Sequence, residues 1–302
     1  MAGLVLLVLL GLCATGVYIY SITRGESEGS WDRLQESGVI RIGYANEAPY
    51  GYIDSTTGEI TGEAPEIAKV VLKRMGIDHI EPVVTEFGSL IPGLKAGRFD
   101  VIAAGMYITP ERAREIDFSN PTYAIGEALI VAAGNPLALH GFEDIARHES
   151  ARIGVMGGSV EHVYARKLDV PEPRIVVLPD YPSAIEALKT DRIDAVAATI
   201  LTANDLLRKA DSAEIELADP FTDPVIDGES VKGYGAFGFR REDDELRQRF
   251  NAQLADFIGS PEHLALVRPF GFSQQTLPGD VTADELIASP AEDSPTDASA
   301  AQ

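Results

Sequence analysis

Residues 85–112, TEFGSLIPGLKAGRFDVIAAGMYITPER, decide the fold of this 302-residue chain. Leu90, Leu94 and Lys95 recur at helical spacing, and Gly97 ends the helix. Val101, Ile102, Ala103 and Ala104 then run continuously apolar, as in a strand buried on both faces of a parallel sheet. After the strand come Gly105, an exposed-looking Tyr107, and Thr109-Pro110-Glu111-Arg112 opening a new helix. Ligands of open α/β sheets settle just past the carboxyl ends of the strands. Tyr107 and Arg112 are therefore candidate ligand contacts, although Arg112 alone reads equally as a solvated residue at a helix start.

The unit recurs. Leu94-Lys95-Ala96-Gly97-Arg98-Phe99-Asp100 and its strand are echoed 94 residues later by Leu188-Lys189-Thr190-Asp191-Arg192-Ile193-Asp194 and a strand ending at Ala198. Helix, polar turn, aspartate and apolar strand in the same order predict two lobes of one plan.

Outward from this unit, residues 39–45 read as a strand, followed by a loop that carries Glu47 and Tyr50. Residues 63–75 form an amphipathic helix stopped by Gly76, and residues 80–87 the next strand, ending in Glu86 and Phe87. Strand–helix–strand–helix–strand is a parallel α/β lobe. Residues 128–133 read as the first crossing between lobes. The second lobe opens with a strand at 151–156, then Gly157-Gly158-Ser159 at the start of a helix carrying Glu161, where backbone N–H groups make an anion site. Gly233–Phe239 reads as the return crossing, and 244–258 as a helix of the first lobe. The expected division is 38–131 with 236–277 for lobe one and 132–235 for lobe two.

At the amino end, residues 3–22 carry no charge, which is long enough to cross a bilayer. Tyr18 and Tyr20 suit its interface, and no Lys or Arg precedes it as in a cleaved leader. Residues 1–24 are expected to be an uncleaved anchor or signal with the remainder outside the cytoplasm. The alternative is a buried core helix. Residues 25–37 read as linker and lead-in. Residues 278–302, rich in Ala, Asp, Ser and Pro without periodicity, are expected to be disordered.

A formal net charge of −22 argues against nucleic acid and anionic lipid, and fits an acidic surface of the kind used in saline habitats. Apolar content of 45% supplies a sizeable core. The single cysteine, Cys13, lies in the amino-terminal run, which leaves no disulfide for the folded part. His79, His140, His148, His162 and His263 are scattered without metal-ligand spacing. Gly233-x-Gly235-x-x-Gly238 matches a dinucleotide fingerprint literally but sits inside a strand-like alternation. No catalytic residue, metal or cofactor is expected.

Strand ends carry the chemistry instead. Glu47 and Tyr50 follow the first strand, Phe87 the second, and Tyr107 and Arg112 the third. Each ring alone reads more readily as packing. Converging on one edge, three rings, a carboxylate and a guanidinium describe a site for a small zwitterion with diffuse positive charge.

With these residues in hand, the chain resembles the solute-binding proteins of ABC importers, in the group for polar amino acids and related compounds. Residues 93–123, with Thr109-Pro110-Glu111-Arg112 and Phe118-Ser119-Asn120-Pro121-Thr122-Tyr123, carry the resemblance, together with Gly157-Gly158-Ser159 and Glu161. Within the group, GYANEAPYGY, TEFGSLIPGLKAGRFD and AAGMYITPER are most similar to ectoine- and hydroxyectoine-binding proteins. The resemblance implies a type II periplasmic-binding-protein fold of α/β class, two lobes of mixed sheet flanked by helices and joined by two hinge strands. It also implies a monomeric, extracytoplasmic receptor with no reaction of its own, partnered by a permease and an ATPase. Arg112 would grip the ligand carboxylate, helped by amides near Gly105 and Ser159. Tyr50, Phe87 and Tyr107 would wall its delocalised ring, and Glu47 and Glu161 would accept from its N–H groups. One position departs: Thr199 stands where amino-acid binders of this group place an aspartate for an α-ammonium. A polar amino-acid receptor remains the near alternative, with a cyclohexadienyl-dehydratase-like enzyme or a ligand-sensing domain behind it.

Overall fold

The computed structural model describes residues 30–210, 213–226 and 229–288. The expected membrane segment and the last fourteen residues of the chain, 289–302, lie outside the described residues. A helix, Ser30–Ser37, occupies the lead-in and buries Trp31 and Leu34.

In chain order the strands of the first half are Val39–Tyr44 (β1), Tyr52–Ile53 (β2), Ile60–Thr61 (β3), His79–Val84 (β4), Val101–Tyr107 (β5), Asp117–Phe118 (β6), Tyr123–Ile125 (β7) and Glu127–Ala132 (β8). Then come Ile153–Met156 (β9), Ile175–Leu178 (β10), Ala195–Thr199 (β11), Ile215–Leu217 (β12), Val225–Ile226 (β13), Glu229–Ser230 (β14) and Gly233–Phe239 (β15). One sheet has the order β4-β1-β5-β15-β6, with β7 also on β15, and the other β10-β9-β11-β8-β12. In each, the first three strands are parallel and the fourth runs against them. Helices cover both sheets, because strands this uniformly apolar must be shielded on both faces.

The repeat is structural. Asp100 Oδ2 accepts from the Arg41 amide at 3.0 Å and from its Nε at 3.1 Å. Asp194 Oδ2 accepts from the Arg152 amide at 2.8 Å and from its Nε at 3.1 Å. Each arginine opens an Arg-Ile-Gly triplet whose glycine makes room for the residue before the aspartate. A Cβ on Gly43 would lie 2.5 Å from the Phe99 ring, and one on Gly154 would lie 2.5 Å from Ile193. The aspartate thus ties the turn before one central strand to the start of its neighbour, once per lobe.

Three expected boundaries move. β8 pairs along its length with β11 and β12, so the first crossing falls at Gly126, between β7 and β8, rather than within 128–133. The continuous apolar run of β8 is accommodated only inside the second sheet. β15 pairs from Gly233 onward with the first sheet, so lobe one resumes there rather than at 236. Finally, residues 278–288 are not the start of a disordered tail. Ala283, on the helix Ala283–Ala288, belongs to the apolar cluster of lobe one that contains Ile108 and Ile116, and Leu286 and Ile287, at helical spacing from it, pack against that cluster. Glu285 caps that helix by accepting from the Thr282 amide at 2.8 Å.

Candidate functional site

The carboxyl ends of β1, β5, β9 and β11 face one another across the two lobes and line one cavity. All nine residues expected at the site line it: Glu47, Tyr50, Phe87, Gly105, Tyr107, Arg112, Ser159, Glu161 and Thr199.

Arg112 is held by the local chain. Thr109 caps the short helix Pro110–Ala113 by accepting from the Arg112 amide at 3.2 Å, which turns the side chain back over β5. Its Nη1 donates to the Tyr107 carbonyl at 2.8 Å, and Nη2 donates to Gly158 O in the other lobe at 2.9 Å. The guanidinium also stands 5.4 Å from the Phe87 ring centroid. One cation thus touches both lobes and leaves the rest of its donor edge to the cavity. Burial lowers its pKa while the Glu161 carboxyl opposes that shift.

Two of the three expected wall rings, Tyr50 and Tyr107, are connected through Tyr123, while Phe87 stands beside the Arg112 guanidinium. Tyr50 stacks on Tyr123 with centroids 5.5 Å apart, and Tyr107 meets Tyr123 edge-on at 6.3 Å. Tyr107 is not exposed, as its position after the strand suggested, but only 4% accessible. Its hydroxyl has no hydrogen-bond partner among the described residues. Glycines make this packing possible. Gly105, at φ +63°, would press a Cβ to within 2.4 Å of the Tyr50 ring. Gly233 and Gly235, of the chance match to a dinucleotide fingerprint, clear space on β15 for Tyr107 and Tyr123, whose rings would lie 1.7 and 2.1 Å from an added Cβ.

The second lobe presents helix starts. Ser159 caps Val160–Lys167, accepting from the His162 amide at 3.3 Å. Thr199 caps Ile200–Lys209, accepting from the Thr202 amide at 3.2 Å. Both point backbone N–H groups toward the cavity end of their strands, where a carboxylate is favoured. Thr199 Oγ1 also shares a 2.6 Å hydrogen bond with the Tyr50 hydroxyl, and Thr202 donates to Glu47 Oε1 at 2.9 Å, so the lobes are closed on each other.

Carboxyls dominate the electrostatics. Burial, and then the charge of Glu161, push Glu47 up to about 8, against the hydrogen bond from Thr202. Burial also raises Glu161, which its own amide, Ser159 and Arg112 partly counter. A ligand that donates several N–H groups, or carries a diffuse positive charge, would satisfy these acids.

Ala104, Met156, Val160 and Tyr181 also line the cavity and were missed. Tyr181 carried a readable signal. It begins the helix Tyr181–Lys189 just past the end of β10, the same placement that marked Tyr107 in lobe one.

Comparison with known proteins agrees with this architecture. The model of the bacterial extracellular solute-binding proteins, family 3, matches residues 40–272. A probable amino-acid ABC transporter periplasmic-binding protein of Sinorhizobium fredii is 40% identical over 261 residues, 85% of each chain. The ABC transporter arginine-binding protein 1 of Escherichia coli is 28% identical over 223 residues, 72% of this chain and 86% of that protein. Among solved structures, EhuB in complex with hydroxyectoine superposes with a TM-score of 0.78 at 34% identity, covering 86% of this chain and 98% of that one.

Proposed function

The chain belongs to the bacterial extracellular solute-binding proteins, family 3, with their type II periplasmic-binding fold, and we propose that its ligand is ectoine or hydroxyectoine. Proteins of this family are extracytoplasmic receptors of ABC importers, and the homologues are binding proteins rather than enzymes. The finer reading is carried by one observation: Tyr50, Phe87 and Tyr107 line the same cavity as Arg112. Arg112 takes the ligand carboxylate, with the amides at Gly105 and Ser159 beside it. The rings of Tyr50, Phe87 and Tyr107 face the delocalised amidinium ring, and Glu47 and Glu161 accept its N–H groups. Thr199 supports the cyclic ligand, since its hydroxyl is already engaged by Tyr50 and offers no charge to an α-ammonium. The receptor acts as a monomer, tethered by residues 1–24, and delivers ligand to a permease and its ATPase.

A second reading has its own support. Glu47 and Glu161 outnumber Arg112, and that acid surplus also suits a polar amino acid with a cationic side chain. Calorimetric titration of residues 30–288 with ectoine, hydroxyectoine, glycine betaine, proline, glutamine and arginine separates the two. Tight binding of the two cyclic solutes alone is expected. Tight binding of arginine or glutamine with no heat from ectoine would sink the assignment and leave the receptor class standing.

A further inference from the structure

One helix of lobe two, Ile200–Lys209 with its cap Thr199, meets a single stretch of lobe one, residues 47–52. Thr199 Oγ1 lies 2.6 Å from the Tyr50 hydroxyl, and Thr202 Oγ1 donates to Glu47 Oε1 at 2.9 Å. Two turns further on, Lys209 Nζ stands 5.4 Å from the Tyr52 ring centroid. Within lobe two the threonines are joined to each other. Thr199 Oγ1 donates to Thr202 Oγ1 at 3.2 Å and accepts from the Thr202 amide at 3.2 Å. Tyr50, Thr199 and Thr202 are all buried. Four side chains thus form one hydrogen-bonded chain that leaves lobe one at Tyr50 and returns to it at Glu47.

Each hydroxyl carries one proton and two lone pairs, and this gives the chain a direction. The Thr202 proton goes to Glu47 Oε1, with Ala48 O a longer contact at 3.4 Å. The Thr199 proton goes to Thr202, so Thr199 Oγ1 accepts from Tyr50. Run in reverse, the chain would leave the buried Tyr50 proton without an acceptor in it, which is costly. Two consequences follow for the ligand. Thr199, which donates once and accepts twice, is saturated and has nothing left to offer. Glu47 Oε1 is an acceptor whether the group is charged or neutral, since any carboxyl proton must sit on Oε2, and the ligand meets Glu47 at Oε2.

We propose that Thr202, which is not among the residues lining the cavity, is a positioning residue: its hydroxyl fixes Glu47 Oε1 and so aims Oε2 at the N–H groups of the ligand. The inference deepens, and rests on, the reading that Glu47 accepts from the ligand. Glu47 belongs to lobe one and Thr202 to lobe two, so this contact is complete only when the cleft is shut.

The test is calorimetric titration of Thr202→Val and Thr202→Ser, with Thr202→Val made also in Glu47→Ala, where Arg112 is left to hold the ligand. The probe is whichever of ectoine, hydroxyectoine, arginine and glutamine binds the parent most tightly. Valine keeps the shape of threonine, and the helix cap survives because it uses the backbone amide of residue 202. Thr202→Val is expected to weaken binding about tenfold, and Thr202→Ser to return to within about threefold of the parent. In the Glu47→Ala background Thr202→Val is expected to cost less than about twofold, because the carboxyl it positions is gone. A merely structural role would give the same loss in both backgrounds. That result, unchanged affinity in Thr202→Val, or Thr202→Ser as weak as Thr202→Val, overturns the proposal. Absence of heat from ectoine, with the cycle intact for arginine or glutamine, strikes the ligand assignment and leaves Thr202 in its role. A parent that binds none of the four removes the premise, and the proposal with it.

Discussion

Tyr50 Oη of lobe one and Thr199 Oγ1 of lobe two stand 2.6 Å apart, a hydrogen bond that exists only while the cleft is shut. Removing the Tyr50 hydroxyl leaves the packing of lobe one in place, whereas removing that of Thr199 also uncaps the helix Ile200–Lys209 within lobe two. Tyr50→Phe and Thr199→Val should each weaken ligand binding by about 0.5–1.5 kcal/mol, the net value of such a bond. The double variant should show coupling between them, with the loss appearing as faster dissociation in stopped-flow measurements. Fully additive losses would mean that the two hydroxyls act separately.

Arg112 bridges Tyr107 O and Gly158 O while facing the cavity. Arg112→Ala should cost at least about 2 kcal/mol of binding, because the ligand carboxylate and two carbonyls lose a charged donor together. Arg112→Lys should fall well short of rescue, since an ammonium cannot reproduce the planar fork. Calorimetry checks both, and unchanged affinity in Arg112→Ala would remove the residue from the pocket.

Closure brings backbone to backbone. A Cβ on Gly88 would lie 3.0 Å from the Gly157 carbonyl, and one on Gly158 would lie 2.8 Å from Gly88 Cα. Gly88 has no left-handed φ, so Gly88→Val leaves lobe one unstrained but blocks the approach of the second lobe. Binding should weaken by about tenfold or more, 1.4 kcal/mol per decade, with little change in the ligand-free melting temperature. Small-angle scattering with saturating ligand should show a larger radius than the parent.

The acids predict a pH dependence. Glu47 and Glu63 are each pushed up to about 8 by burial, from an ordinary value of 4.5. Between those values the native state holds more protons than the unfolded chain, so their contribution falls as pH rises through the window. Asp100 acts oppositely: burial would raise it, but the hydrogen bonds from Arg41 hold it low, so its contribution is lost only as pH falls through that lowered pKa. The ligand-free melting temperature should therefore decline from pH 5 to 8. A cationic ligand ionises Glu47, so the stabilisation by ligand should grow over the same range. A ligand effect independent of pH would contradict the role of Glu47.

Much of the site was legible because α/β folds present ligand groups at strand ends, and the chain writes aromatic or acidic residues there: Tyr50, Phe87, Tyr107 and Glu161. The repeat was legible because Arg98-x-Asp100 and Arg192-x-Asp194 serve one geometric need, tying Asp100 to Arg41 and Asp194 to Arg152. Glu127 was not legible. A carboxylate beginning an apolar strand reads as a solvated strand start, and only the pairing of β8 between β11 and β12 buries it. The role of Gly233 and Gly235 was hidden in the same way, since what they accommodate, the rings of Tyr107 and Tyr123, lies more than a hundred residues away in sequence. The crossing at Gly126 was missed because a buried strand and a hinge strand share one composition.

The central claim is that the rings of lobe one and the Arg112 guanidinium hold a single zwitterion between closed lobes. A crystal structure of residues 30–288 grown with ectoine tests it most directly. The account predicts the ligand carboxylate within hydrogen-bond distance of Arg112 and its ring enclosed by Tyr50, Phe87 and Tyr107. A ligand bound elsewhere, or one whose carboxylate turns away from Arg112 toward Glu47, would contradict it.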